Sequence, residues 1–280
     1  MSVANILRKL GYAVEVNYMF LDLEEEKPRE IDLIATKEVA GVNIVFVIEC
    51  KQSSRDSWIF VAPESNPSRY YRYAKHMPML RGNSDYIKEC FSRLHIFDRK
   101  IPLSNNVVSF EFDKKKKSDP TAINDAIKKA VKATLSVMTN YRRNNEEQEK
   151  GVFFSAVFFS GDIFLASYNK SLNVTASSHL IYKDNFVSSA YTDISGPVSL
   201  YPIHHFGTQE ESISYEEREK RKMINITKKI YTSLKPDFIV DIVKDKYIKK
   251  YIALVEESVS TVPVERWPNN EKETCEFSDI

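Results

Sequence analysis

Glycine is scarce, with seven in 280 residues. No glycine-rich segment is present to wrap the phosphates of a nucleotide, which excludes a P-loop or a dinucleotide-binding turn. The three cysteines, Cys50, Cys90 and Cys275, are too few and too scattered for a disulfide framework or a zinc site. No apolar run approaches the roughly 20 residues of a membrane-spanning helix. The opening Met1-Ser2-Val3-Ala4 lacks the apolar stretch of a signal peptide. There are no internal repeats. The expectation is a soluble, cytoplasmic protein without a membrane partner. Charge of one sign is also missing, since 40 Lys/Arg against 39 Asp/Glu leave a formal net charge of +1. Overall basicity therefore gives no pointer to nucleic acid.

What is present is a globular composition, 42% hydrophobic and 28% charged, in a chain long enough to bury a substantial core. The charges are unevenly placed. Residues 1–50 carry five Lys/Arg and nine Asp/Glu, whereas residues 51–100 carry ten and five. An acidic segment followed by a basic one suits a cation site beside a phosphate backbone. An unevenly charged solvated surface gives the same count.

The most informative stretch is Asn43 to Gln52. Ile44, Val45, Phe46, Val47 and Ile48 form a β-branched run too short for a typical helix, and it reads as a strand buried on both faces. It ends in Glu49-Cys50-Lys51, and strand alternation sends Glu49 and Lys51 out of the same face. Upstream, Glu30 to Ala35 reads as a second strand with Asp32 at its entry. If the two are antiparallel neighbours turning within residues 36–42, Asp32 lies beside Glu49 and Lys51. Two carboxylates near a lysine make an oxygen-rich site for a hard cation such as Mg2+. The bland alternatives are an ion pair closing a buried strand for Glu49 and Lys51, and a turn residue for Asp32. Cys50 points to the opposite face, where core packing is its expected role.

Glu30-Ile31-Asp32 followed by Glu49-Cys50-Lys51 resembles the PD-(D/E)xK nuclease superfamily, most closely its Mrr-type and Holliday-junction-resolvase-like branches. The resemblance covers roughly residues 1–110. The tripeptide alone is weakly specific, since Glu25-Glu26-Lys27 also fits it. The resemblance implies an α/β (α+β) fold with a restriction-endonuclease-like mixed central sheet flanked by helices. It implies Mg2+ or Mn2+ held by Asp32, Glu49 and the backbone carbonyl of Cys50, with Lys51 as the catalytic cation. Glu15, Glu30 and Gln52 are auxiliary candidates. The implied activity is phosphodiester hydrolysis in DNA, with RNA left open, in restriction, antiviral defence or repair, alone, as a homodimer or in a larger complex. The alternatives are a catalytically inactive nuclease-fold subunit that binds nucleic acid or a protein partner, and a purely structural interaction protein. One departure stands out: many relatives carry a glutamate in the first helix, and this first helix has no acid. Either the role is absent, Glu15 takes it, or the chain begins late.

In chain order, Val3 to Leu10 has helical spacing, with Gly11 as C-cap. Tyr12 to Asp22 alternates as a first strand. Residues 52–58 read as a polar loop in which Ser53 and Arg55 are placed for phosphate contacts. Arg69 to Lys75 reads as an amphipathic helix offering Arg69, Arg72 and Lys75 to a nucleic-acid backbone. Residues 85–94 also look helical, and Val107 to Phe112 reads as a strand. Lys114 to Lys117 is a basic run. Ser118-Asp119-Pro120 starts the longest helix, carried by Ile123, Ile127, Val131, Leu135 and Met138. Residues 144–150 are a polar linker and the expected boundary between a nuclease-like core (1–145) and a C-terminal extension (146–260). Residues 152–168 read as a hairpin turning at Ser160-Gly161, and Leu172 to Tyr182 as one further strand. His204-His205 is a poor joint metal site. Ser214 to Glu217 is a capping box. Phe238 to Ser258 is expected to be helical in its later half, and residues 261–280 form an extended tail.

Overall fold

The computed structural model describes residues 2–22, 25, 27–62, 71–76, 90–95, 101–104, 106–111, 121–144, 151–169, 171–184 and 238–261. Helix α1 (Val3–Lys9) stops where a glycine allows it. Gly11, at φ +86°, donates its N–H to the Arg8 carbonyl, and the Tyr12 N–H reaches the Leu7 carbonyl at 3.1 Å. This double closure is a Schellman motif, and it sends the chain directly into β1 (Ala13–Asp22). β2 (Lys27–Val39) and β3 (Val42–Val61) complete an antiparallel meander. The β2–β3 turn, at Ala40 (φ +52°) and Gly41 (φ +76°), falls within the predicted segment. Two successive positive φ values match the right-handed twist of the flanking strands.

The next elements are β4 (Tyr71–His76), β5 (Cys90–His95), β6 (Leu103–Ser104), β7 (Asn106–Glu111) and helix α2 (Thr121–Asn144). After them come β8 (Gly151–Asn169), β9 (Ser171–Ala176), β10 (His179–Asp184) and β11 (Phe238–Lys244). A 3-10 turn (Asp245–Tyr247) leads into helix α3 (Ile248–Thr261). The strands join in one mixed sheet with the central order β1-β2-β3-β8-β11-β10-β6. β8 runs parallel to β3 and β11 runs parallel to β8. Parallel neighbours need a crossover, and α2 lies between β3 and β8 in the chain.

Strand alternation builds two cores. Val45, Val47, Phe153, Val157 and Ile242 pack under α2 through Ile127, Val131 and Leu135. Ile44, Phe46, Ile48, Phe154 and Phe158 face the other way, against Leu7 of α1 and Tyr251 and Val255 of α3. The result is a mixed α/β sheet with helices on both faces.

Several sequence expectations are corrected here. Residues 71–76 and 90–95 are strands, not helices, and pair with each other as β4 and β5. The Tyr-rich segment has high strand propensity, and β4 also adds to the start of β8, at Tyr73–Phe153 to Lys75–Gly151. The expected loop at 52–58 is a continuation of β3, supported by β8 on one side and β7 on the other. β8 is one 19-residue strand and not a hairpin. Gly161 serves a close approach there, where β3 inserts extra residues between Gln52–Ser160 and Ser57–Asp162. A Cβ at Gly161 would collide with the Phe159 ring and come within 3.1 Å of the Ser53 carbonyl. Residues 171–184 form two strands, β9 and β10. β8, β11 and β10 continue the order outward from β3, so these later strands extend the sheet begun by β1–β3. Lys114 to Lys117, His204-His205, Ser214 to Glu217 and the tail beyond 261 lie outside the described residues.

Candidate metal and phosphate site on β2 and β3

Asp32 is the sixth residue of β2 and Glu49 the eighth of β3, so neither sits at a strand end. The feature that makes room for them is a fault in both ladders. The β1–β2 register passes from Val16–Leu33 to Tyr18–Ile31, leaving Asn17 and Asp32 out of the pairing. Asn17 has φ +55°, a left-handed conformation that asparagine tolerates better than most residues. The two strands exchange faces at this point. Tyr12 and Val14 pack on the α1/α3 side, but Tyr18 and Phe20 pack under α2. In β2, Leu33 and Ala35 face the α1/α3 side while Ile31 packs under α2. The β2–β3 ladder, too, ends at Leu33–Ile48, one position short of Asp32 and Glu49.

Asp32 fills the fork between the strands. Its Oδ2 accepts the backbone N–H of Cys50 at 2.6 Å, a short charge-assisted bond. That contact places the β2 acid within one residue of both Glu49 and Lys51. Glu49 shares the α2-facing side of β3 with Val45 and Val47 and is 1% exposed. Lys51 Nζ lies 2.8 Å from its Oε1. Lys129 Nζ, from α2, lies 2.8 Å from Oε2 but out of hydrogen-bond alignment, so this buried oxygen has no aligned donor.

The electrostatics follow from this crowding. Burial, the largest effect, would lower the Lys51 pKa, but Glu49, Asp32 and Asp125 together raise it above the ordinary lysine value. The Cys50 thiol is pushed up to about 12, first by burial and then by Asp32 and Glu49. Cys50 packs against the α1/α3-side core, as strand alternation predicts.

The structure thus brings Asp32, Glu49, Cys50 and Lys51 together. It does not bring in the auxiliary acids. Glu15 is exposed opposite Ile34, and Glu30 is exposed opposite Met19. Among the described residues, no group of three or more His, Cys, Asp or Glu is placed to hold a metal ion. Gln52 is exposed and Ser53 half-buried at the β3 irregularity. Arg69 lies outside the described residues, as do the side chains of Arg55, Arg72 and Lys75. Trp58 is a packing anchor, stacked on Phe159 at 3.8 Å.

Sequence reasoning missed the contribution of α2. Lys129 and Asp125 reach the site from a helix 80 residues away in sequence. The only signal for Lys129 was its position two residues past Ile127, at the edge of the apolar stripe. Three residues further on, Lys132 Nζ bonds both oxygens of the fully buried Asp22 at 3.2 and 2.9 Å, with Arg29 Nε 2.9 Å from Oδ2.

Two carboxylates and a carbonyl suit Mg2+, which is held by one or two protein carboxylates and otherwise keeps waters and phosphate oxygens. The Glu49 oxygen without an aligned donor is the observation that fits a cation to this donor set. No family model, curated protein or solved structure matches the chain. Among the described residues, no helix is long and apolar enough to cross a membrane.

Proposed function

We propose that the protein is a metal-dependent nuclease with a restriction-endonuclease-like fold, hydrolysing phosphodiester bonds in DNA during restriction, antiviral defence or repair. The observation that supports this reading most is the Asp32–Cys50 contact, which joins an acid from β2 to the Glu49-x-Lys51 triplet of β3. Asp32, Glu49 and the Cys50 carbonyl would hold Mg2+ or Mn2+. Bound there, the ion would polarise a phosphate oxygen and acidify a water molecule. Lys51, 37% exposed while its partner is buried, presents an ammonium to the developing phosphate charge and orients the attacking water. Asp32 is held by a backbone amide, so its second oxygen is presented without side-chain reorganisation.

A second reading has its own support. Both Glu49 oxygens face lysines, and Asp32 is committed to a backbone N–H. That is how a nuclease fold kept only for binding nucleic acid or a protein would look. Plasmid and linear DNA incubated with Mg2+ or Mn2+ separate the two readings, with Lys51→Ala and Asp32→Asn beside the wild type. Metal-dependent cutting lost in both variants, with circular dichroism unchanged, is the expected result. No cutting by the wild type, with no metal uptake by calorimetry, leaves the binding subunit as the function.

A further inference from the structure

Glu49 is served by two lysines in different ways. Lys51 comes from the same strand and meets Oε1, which has a satisfied donor. Lys129 comes from α2, is a quarter exposed, and stands 2.8 Å from Oε2 without alignment. An ammonium that is close, misaligned and partly in water is held by charge and not by a fixed hydrogen bond. The contrast with Lys132 is direct: it comes from the same helix, is 10% exposed, and bonds both oxygens of Asp22. One lysine of α2 is locked on its carboxylate; its neighbour is not.

We infer that Lys129 is an exchangeable cation, occupying Glu49 Oε2 until a divalent ion takes that oxygen and then pairing with a phosphate of the nucleic acid. The inference rests on the nuclease reading and adds to it a residue, a competition and a substrate contact. Charge supports the exchange. Asp32, Glu49 and Asp125 against Lys51 and Lys129 leave the immediate site one negative charge in excess, counting full ionisation. A dication reverses that to one positive, which favours a phosphodiester in place of the carboxylate for the displaced ammonium. The lysine stem is long and flexible enough to turn outward, and its partial exposure provides the path.

The test is Lys129→Met, which keeps the apolar stem and removes the charge, measured against wild type in two assays without turnover. Removing a competitor tightens Mn2+ binding by calorimetry, by about fivefold for a partly exposed ammonium. Removing a phosphate partner weakens binding of a short DNA duplex in Ca2+. It also reduces the slope of log affinity against log salt by about one. Opposite signs in the two assays are the expected signature. A merely structural lysine weakens both together, and that result, or no change in either, overturns the inference while leaving the nuclease reading intact. A wild type that takes up no Mn2+ overturns both. Lys129→Arg, expected to restore the salt slope, guards against a folding defect in the methionine variant.

Discussion

Asp32 has two separable tasks, and a pair of substitutions separates them. Its Oδ2 accepts the Cys50 N–H at 2.6 Å, where the β2–β3 ladder has already ended at Leu33–Ile48. Asp32→Ala removes this acceptor and leaves the N–H of a largely buried strand unmade. A hydrogen bond to a charged acceptor contributes about 1.5–3 kcal/mol, and about 2 kcal/mol is the expected loss here. With a urea m-value of about 3 kcal/mol/M, the unfolding midpoint falls by about 0.7 M. Asp32→Asn keeps a carbonyl oxygen in the same place, so only the charge-assisted part is lost, about 1 kcal/mol or less. Metal binding follows the other pattern, because a neutral amide is a poor ligand for Mg2+. Mn2+ uptake by calorimetry should disappear in both variants alike. Urea titration of both, with calorimetry on the same samples, is the assay. Equal stability for the two variants would refute the capping argument. Mn2+ binding preserved in Asp32→Asn would refute the metal assignment.

Three further outcomes are expected. Tyr251→Phe deletes the hydroxyl that bonds Asp241 Oδ2 at 2.9 Å and keeps the ring packed on Phe46, Phe158 and His179, so urea unfolding should show a loss of about 1.5–2 kcal/mol; a change below about 0.5 kcal/mol would contradict a stabilising role for that bond. Gly161→Ala forces a methyl against the Phe159 ring, which cannot swing freely because it is stacked on Trp58, and should cost about 1–3 kcal/mol by thermal or chemical unfolding, whereas a neutral result would mean the strand pair relaxes at no cost. In a Cys90→Ser/Cys275→Ser background, Cys50 should react with a thiol reagent at pH 8 on the order of a thousandfold more slowly in the native protein than in urea, since burial and then the Asp32 and Glu49 charges hold the thiol protonated up to about pH 12; equal rates would show the thiol to be neither buried nor beside those charges.

The β2–β3 hairpin and its three charged residues were legible because their pattern is local. An apolar β-branched run, a turn of allowed length and a triplet on one face set the register of Asp32 opposite Glu49 without any distant contact. The fault that shapes the site was hidden by the same regularity. Tyr12, Val14, Val16, Tyr18 and Phe20 all occupy even positions, so the strand looks uniformly alternating. Only the left-handed Asn17 turns the first two toward α1 and α3 and the last two toward α2. Ser160-Gly161 carried the chemistry of a turn, and a bulge in a long parallel pair uses the same residues. Arg69 to Lys75 had helical spacing and strand propensity together, and the start of β8 decided between them for residues 71–76. Lys129 was invisible because a lysine flanking an apolar stripe reads as solvated unless its partner, here a buried acid on a strand far upstream, is already known.

The two buried carboxylates under α2 act as each other's control. Replacing a buried ion group by apolar side chains of similar volume is often neutral or stabilising, so neither is explained by stability alone. Asp22 is answered completely: Lys132 bonds both oxygens, Arg29 approaches from β2, and the carboxylate is fully enclosed. This arrangement ties β1, β2 and α2 together and offers nothing to a ligand. Glu49, on β3, meets the same helix through Lys129, three residues before Lys132, and has one oxygen without an aligned donor. It also has an acid from the neighbouring strand within reach, and two lysines that keep contact with water. If the Glu49 group served only to close the sheet, the closure used at Asp22 was available from the same helix with the same residue types. The difference between them lies where the ladders part, and there an incompletely answered carboxylate has a use.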